Sequence, residues 1–462
     1  MRKSNFSTEM WAELEFNGAG LGDRRRNKRL IKFAKAVAEA RSGVLPPAFP
    51  RWSDLKSAYR LLAEEDVTHE RILAPHFEKT HDSCRKNGVY LIIEDTTNLD
   101  FTARTGIKGL GFIGDSRGQG LCVHSSLALQ VEGWSAEEEP LVIILGLFGQ
   151  SWWAREGEPK RGTESRGERL QRPRESQRWA DVFEKMEAPP SGAQWIYIAD
   201  RESDIYEVFS RCQGKSVNFV IRANQARALA DEGGTVFDAV KAASCLGEFE
   251  LEIRSRPGIK ARTAKIEIRS VSVTLRGPWR PGGRLTPRSL NVVEAREVDA
   301  PAGVIPIQWI ILTDLPCETF RECRRIIGIY SRRWLIEEYH KGLKTGLGIE
   351  ETQLTTVERI TALLGILAVV AVRLLSMKLI SSEDSEKQIT PEVVGWEILA
   401  VLAASFGEPK RGWTYRNVLV CIARMGGFLA RKSDGQPGWI TIWRGWQKLM
   451  LMLQGFNLAK GL

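Results

Sequence analysis

Three carboxylates in this chain have the type and setting needed for phosphoryl chemistry. The apolar run VYLIIEDTT, residues 89–97, leads into Glu94 and Asp95, and the run WIYIADRESD, residues 195–204, leads into Asp200. A carboxylate at the C-terminal end of a buried strand sits where sheets place ligands. One such aspartate is commonplace and usually caps a turn or a following helix. The third carboxylate has a different setting. Read as one α-helix, YSRRWLIEEYHKGLKTG, residues 330–346, sorts into two faces. With Tyr330 at zero, Arg333, Glu337, Lys341 and Lys344 fall within about 60° of it, and Leu335, Ile336, Tyr339 and Leu343 fall opposite. Glu338 lies at about +80°, off the centre of the cationic stripe, so the geometry favours Glu337. Taken alone, the stripe is most simply a solvated face with ion pairs such as Glu337 with Lys341. Beside Asp95 and Asp200, Glu337 becomes the third member of a set. Three carboxylates without histidine suit hard, oxygen-preferring Mg²⁺ or Mn²⁺. Two such ions, about 4 Å apart, clamp the attacking and leaving oxygens of an in-line phosphoryl transfer. Neighbouring Arg and Lys would hold the other phosphates.

Elements must exist to position these groups, and the chain has room for them. Its 462 residues exceed one ordinary domain. The net charge of +9 favours a polyanionic partner without naming one. Clusters sharpen this: between Arg254 and Arg296 there are eleven Lys or Arg and two acids, Glu267 and Glu294. The basic stretch 155–178 lacks strong periodicity and reads as a loop or ragged helix. Seven scattered cysteines without a CxxC exclude a disulfide framework or zinc cage and fit a cytosol-like compartment. His81 and Cys84 have no second pair to complete a zinc set. The opening residues do not read as a signal peptide. The longest apolar run, 360–372, is too short for a membrane span and reads as a buried helix.

Residues 1–65 read as helical and basic. In LGDRRRNKRLIKFAKAVAEA, Gly22 and Asp23 mark a helix start, and Arg24, Arg25, Arg26, Lys28 and Arg29 crowd the first turns. That charge opposes the helix dipole, which points to a negative partner. Residues 66–380 read as α/β. Strands are expected at 89–97, 121–131, 140–148, 195–204 and 217–225, the last ending near Arg222. Residues 235–305 alternate as an arginine-rich antiparallel β module, followed by the strand PIQWIILTD and the helix through residues 330–346. Residues 381–462 read as helical, with helices expected at 391–406, 415–424 and 440–455.

The helix pattern Y-x-x-R-x-x-x-E-x-x-x-x-x-x-K resembles the signature of the DDE transposases of the bacterial insertion-sequence-four family. The resemblance continues through LGDRRRNKRL, IEDTTNLDF, ESQRW, ADRESDIY, FVIR, QWIILTD, ARMGGFLARK and WRGWQKL, in that order along nearly the whole chain. It implies a ribonuclease-H-like α/β core interrupted by a β insertion, with a helical N-terminal DNA-binding domain and a helical C-terminal dimerisation domain. It implies that Asp95, Asp200 and Glu337 bind two Mg²⁺ ions, with Mn²⁺ able to substitute. It implies DNA phosphate contacts from Tyr330, Arg333 and Lys344, shared by Lys341 and His340. Trp309 matches an aromatic that packs a flipped base, with a core tryptophan in a strand as the lesser alternative. Arg222 matches a DNA-contacting arginine, and Arg26 and Arg29 match positions touching the transposon end.

The implied activity is cleavage of transposon ends by nick, hairpin and hairpin opening, then joining of the 3′-OH ends to target DNA. The implied partners are double-stranded DNA, as terminal inverted repeats and target, and a second copy of the chain in a synaptic complex. No membrane and no nucleotide cofactor are expected, and the setting is the bacterial cytoplasm. Two rivals stand beside this reading: a stand-alone metal-dependent nuclease, and a non-catalytic DNA-binding regulator derived from a transposase. The basic N-terminal segment argues against the first, and the intact carboxylate set against the second.

Overall fold

A computed structural model describes residues 8–40, 42–114, 117–155, 179, 187–230, 233–253, 261–383, 388–389, 396–431 and 434–460. Most of the basic stretch 155–178, the ESQRW block before Trp179, the turn at Pro257-Gly258 and residues 391–395 lie outside these ranges.

The central feature is a ten-stranded mixed sheet in the order β2-β3-β1-β5-β6-β12-β11-β8-β7, with β4 on β3. Here β1 is Gly88–Asp100, β2 Gly111–Ile113, β3 Gly118–Trp134, β4 Pro140–Trp153, β5 Ala193–Ala199 and β6 Asn218–Arg222. The remaining strands of this sheet are β7 Cys245–Ile253, β8 Arg262–Leu275, β11 Arg288–Val298 and β12 Gln308–Thr313. β1 runs parallel to β5 and β5 to β6, while β3 and β4 are antiparallel additions on the other side. This is the α/β core expected from the sequence. The insertion is not a separate module: β7, β8 and β11 extend the same sheet through β12. It also opens with a helix, Val236–Ala242, capped reciprocally by Thr235 and Asp238, where alternation was expected.

Alternation sends successive side chains of each strand to opposite faces. Leu91, Ile93, Ile196, Ile198, Val220 and Ile311 enter one core, which also contains Leu30, Phe33 and Val37 of the N-terminal helix α2 (Arg24–Ala40). Tyr90, Ile92, Tyr197, Ala199, Phe219 and Ile221 enter a second core on the opposite face, under the helix Tyr206–Gly214. A third, smaller core joins the helices Trp396–Phe406, Tyr415–Met425 and Trp439–Lys460. There Gly426 and Gly445, from the blocks ARMGGFLARK and WRGWQKL, lie backbone against backbone. A Cβ on either would overlap the other helix.

The apolar run 360–372 lies within a longer helix, Val357–Glu383, which packs on the helix His69–Cys84 and on β4. Its Val357–Leu379 portion is long and apolar enough to cross a bilayer, but 83% of its most apolar window is buried inside the protein. Arg373 does not end the helix; its guanidinium stacks 4.6 Å from the ring centroid of Trp11.

Candidate active site

Asp95 and Asp200 share a face because of register. The parallel pairing of β1 with β5 ends at Ile93↔Ile198, and Asp95 and Asp200 each lie two residues further on. Both therefore project to the side of Leu91, Ile93, Ile196 and Ile198. The strands part at this point. β5 stops at Ala199 and the chain turns into a single 3₁₀ turn, Arg201–Ser203, with the Asp200 carboxylate accepting the Glu202 N–H at 2.8 Å. β1 does not end at Asp95, as expected, but continues against β3 to Asp100↔Gly120. Glu94 points the other way. It is fully buried, accepts the Ser126 hydroxyl at 2.5 Å and lies 3.2 Å from His124 Nε2.

The third carboxylate comes from above this face. The expected single helix is three pieces: Phe320–Ser331, Trp334–Lys341 and a π-helical turn at Gly342–Gly346. The first is started by a capping box between Thr319 and Glu322. Ile336, Tyr339 and Leu343 are buried in the core beneath, and the Tyr339 hydroxyl accepts from Gln150 at 2.9 Å. This anchoring leaves Glu337 half-buried at the rim. Arg333 joins the set, donating to Glu337 and lying 3.8 Å from Asp95. Glu338 is instead held by Lys378 and Lys341.

Burial pushes the Asp95 carboxyl up to about 7; Asp200 and, less strongly, Glu337 add to the effect, against the pull of the Thr96 N–H and Arg333. The three carboxylates thus act on one electrostatic site that is short of positive charge. As the side chains stand, no three His, Cys, Asp or Glu among the described residues gather into a metal cage. Glu337 is drawn onto Arg333 instead.

Tyr330 is buried, and its ring meets Trp309 edge-on at 5.3 Å, with Arg333 5.9 Å from its centroid. Trp309 is partly buried on the same sheet face as Ile311. Arg222 donates to the Gln308 carbonyl at 3.0 Å, beside Trp309. It also lines a cleft of about 480 Å³ with Arg201, Lys241, Arg296, Glu294 and Gln308. Apart from Arg222, the members of this cleft carried no spacing signal; only the arginine density of the segment hinted at it. Lys344 reaches β1, donating to the Asn98 carbonyl at 2.8 Å and pairing with Glu350 at 3.1 Å. Lys341 is exposed, its ammonium 4.1 Å from the centroid of Trp334.

Two expected contacts sit differently. His340 faces the core: it is 6% exposed, and burial pushes its pKa down to about 3, with His124 and Lys344 adding to the effect. Arg26 is committed within its own domain, donating to Glu64 at 2.5 Å and Asp66 at 2.8 Å, while Arg29 is exposed.

Comparison with known families matches residues 8–67 to a family described as Transposase DNA-binding, 174–373 to Transposase DDE domain, and 369–462 to Transposase Tn5 dimerisation domain. The chain is a DDE transposase. The transposase binds DNA and forms a homodimer through these flanking regions. Its DDE match spans Asp200 and Glu337 and begins after Asp95, which the sheet register sets on the same face as Asp200. Transposases of this family use divalent metal ions. The donor set fits such an ion, being oxygen-only, and the Asp95 carboxyl, raised to about 7 by burial first and by Asp200 and Glu337 after it, would gain from a cation beside it.

Proposed function

We propose that Asp95, Asp200 and Glu337 are the catalytic, metal-binding triad, and that this transposase nicks transposon ends, forms and reopens hairpins, and joins the freed 3′ ends to target DNA. The observation that carries this reading is the electrostatic influence of Asp200 and Glu337 on Asp95, with Arg333 between Asp95 and Glu337. When bound, two Mg²⁺ ions would supply Lewis-acid stabilisation of the attacking and leaving oxygens. The chain's own groups do the rest. Arg333, released from Glu337, turns its guanidinium to a phosphate beside the scissile bond. Lys344, fixed to β1 through Asn98, neutralises a second phosphate. Trp309, with Arg222 alongside, offers a stacking surface to an extruded base. Water attacks first and leaves a 3′-OH, which attacks the opposite strand to close the hairpin. A second water reopens it, and the 3′-OH then attacks target DNA. The dimer forms over the last helix, where Leu451, Met452 and Leu458 are exposed.

The test is incubation with Mg²⁺ and labelled duplex from the DNA flanking the coding region, with nicks, hairpins and joined products resolved on gels. Cutting without joining would leave the nuclease reading. Trp309→Ala should slow hairpin formation about tenfold or more while sparing the first nick; equal loss of both steps would mark a folding fault. Arg29→Ala should lower the slope of log affinity against log salt by about 1. An unchanged slope would remove Arg29 from the DNA interface.

A further inference from the structure

Residues 276–288, RGPWRPGGRLTPR, carry four arginines and no acid, and the site described above uses none of them. They form a two-stranded hairpin, Trp279–Arg280 (β9) against Gly283–Arg284 (β10), separate from the main sheet. Trp279 pairs directly with Arg284 across the ladder, so the two side chains share a face, and the guanidinium lies 5.9 Å from the indole centroid. Gly282 and Gly283, at φ +99° and +122°, make the tight turn. The base is closed by the Leu285 N–H to the Pro278 carbonyl at 3.0 Å, and Gly277 lies against Leu285 where a Cβ would overlap it.

The hairpin is held on the helix Tyr206–Gly214, the first α-helix after Asp200. Arg280 forks onto Glu207, its Nη2 donating at 3.1 Å, and the Tyr206 hydroxyl donates to the Thr286 carbonyl at 2.5 Å. Arg288 donates to Gln213 at 3.2 Å. With Arg280 used as the anchor, Arg276 and Arg284 stay exposed and Trp279 is 59% exposed. A hairpin that served only packing would turn its indole inward. Here the indole stands out on a fixed arm, with the Arg284 guanidinium beside it.

We propose that this hairpin is a second DNA-binding site, specific for an unpaired strand, with Trp279 stacking on a base and Arg276 and Arg284 on the adjoining phosphates. Duplex DNA hides its base faces, so an exposed indole gains from a single strand what it cannot gain from paired DNA. The arginines supply the charge complementarity. The inference rests on the transposase reading, in which cleavage next to Asp200 opens DNA strands.

The test is fluorescence anisotropy of the full-length protein with labelled oligo(dT) and with a blunt duplex of equal length. Trp279→Ala should weaken oligo(dT) binding about tenfold and leave the duplex unchanged, while Trp279→Phe, which keeps a stacking ring, stays close to wild type. Arg276→Ala with Arg284→Ala should lower the oligo(dT) salt slope by about 1.4. Normal duplex binding with oligo(dT) binding unaltered by Trp279→Ala would overturn the hairpin site alone. Equal losses on both probes in the Ala and Phe variants would overturn it too. A wild-type protein that bound neither probe would bring down the DNA-transaction reading along with it.

Discussion

Glu337→Gln is expected to lower strand cleavage on the order of a thousandfold while DNA affinity stays within about twofold. Two accounts of Glu337 compete. In one it is a partner for Arg333 on a solvated helix face, a pair worth a few tenths of a kcal/mol. Glutamine keeps the size and an acceptor oxygen, so that account predicts almost no change in cleavage. In the other it is one of three oxygen donors to the metal, and an amide loses the charge on which ion binding depends. Asp200→Asn should behave in the same way. Asparagine caps as well as aspartate does, so the 3₁₀ turn it starts is kept. Glu338→Gln is the control: its carboxylate is engaged by Lys378 and Lys341, so it should cost stability and leave cleavage standing. Cleavage gels and anisotropy on the same end DNA separate these outcomes. Retained cleavage in Glu337→Gln would remove it from the triad.

The legible parts of this fold were those that short-range pattern controls. The apolar runs into Asp95 and Asp200 read correctly as buried strands, because period and polarity are written in the side chains, whereas their pairing as neighbours was not written there. The start of α2 was legible from Asp23, whose carboxylate accepts the Arg25 N–H at 2.7 Å. The helix that Thr235 and Asp238 cap was not read, because the alternation further along set the reading of the whole segment.

What periodicity could not show was the break near Arg332 and Arg333. A kinked helical run keeps nearly the same 3.6-residue pattern, so the apolar face looks continuous either way. His340 falls on the border of the stripe, where a few degrees of kink and the π turn decide between core and surface. Arg26 and Arg29 are indistinguishable by composition. Only the chain's return through Glu64 and Asp66 commits one of them and leaves the other exposed. The pair of Asp204 and Arg227 was likewise invisible, since its partners lie 23 residues apart with the helix Tyr206–Gly214 and β6 between them.

Asp95→Asn is expected to raise the melting temperature of the metal-free protein at pH 8 and to leave it unchanged near pH 4. An unfolded Asp95 ionises near 3.8, whereas in the fold it holds its proton to about 7. Between those values the folded state carries one more proton than the unfolded chain, so stability falls as pH rises through the window and levels off above 7. The gap corresponds to roughly 4 kcal/mol, of which relaxation and partial exposure should leave about 2 kcal/mol to be gained by an uncharged isostere. Below the window both chains are neutral at this position and the advantage vanishes. Mg²⁺ should reverse the order, stabilising the wild type at pH 8 by mass action and the variant hardly at all. A loss of stability in Asp95→Asn that is equal at both pH values would instead make Asp95 an ordinary acceptor for the Thr96 N–H, with no stored repulsion for a cation to relieve. The charge arrangement that makes these carboxylates a liability for folding is then the same one that would give a divalent ion its affinity.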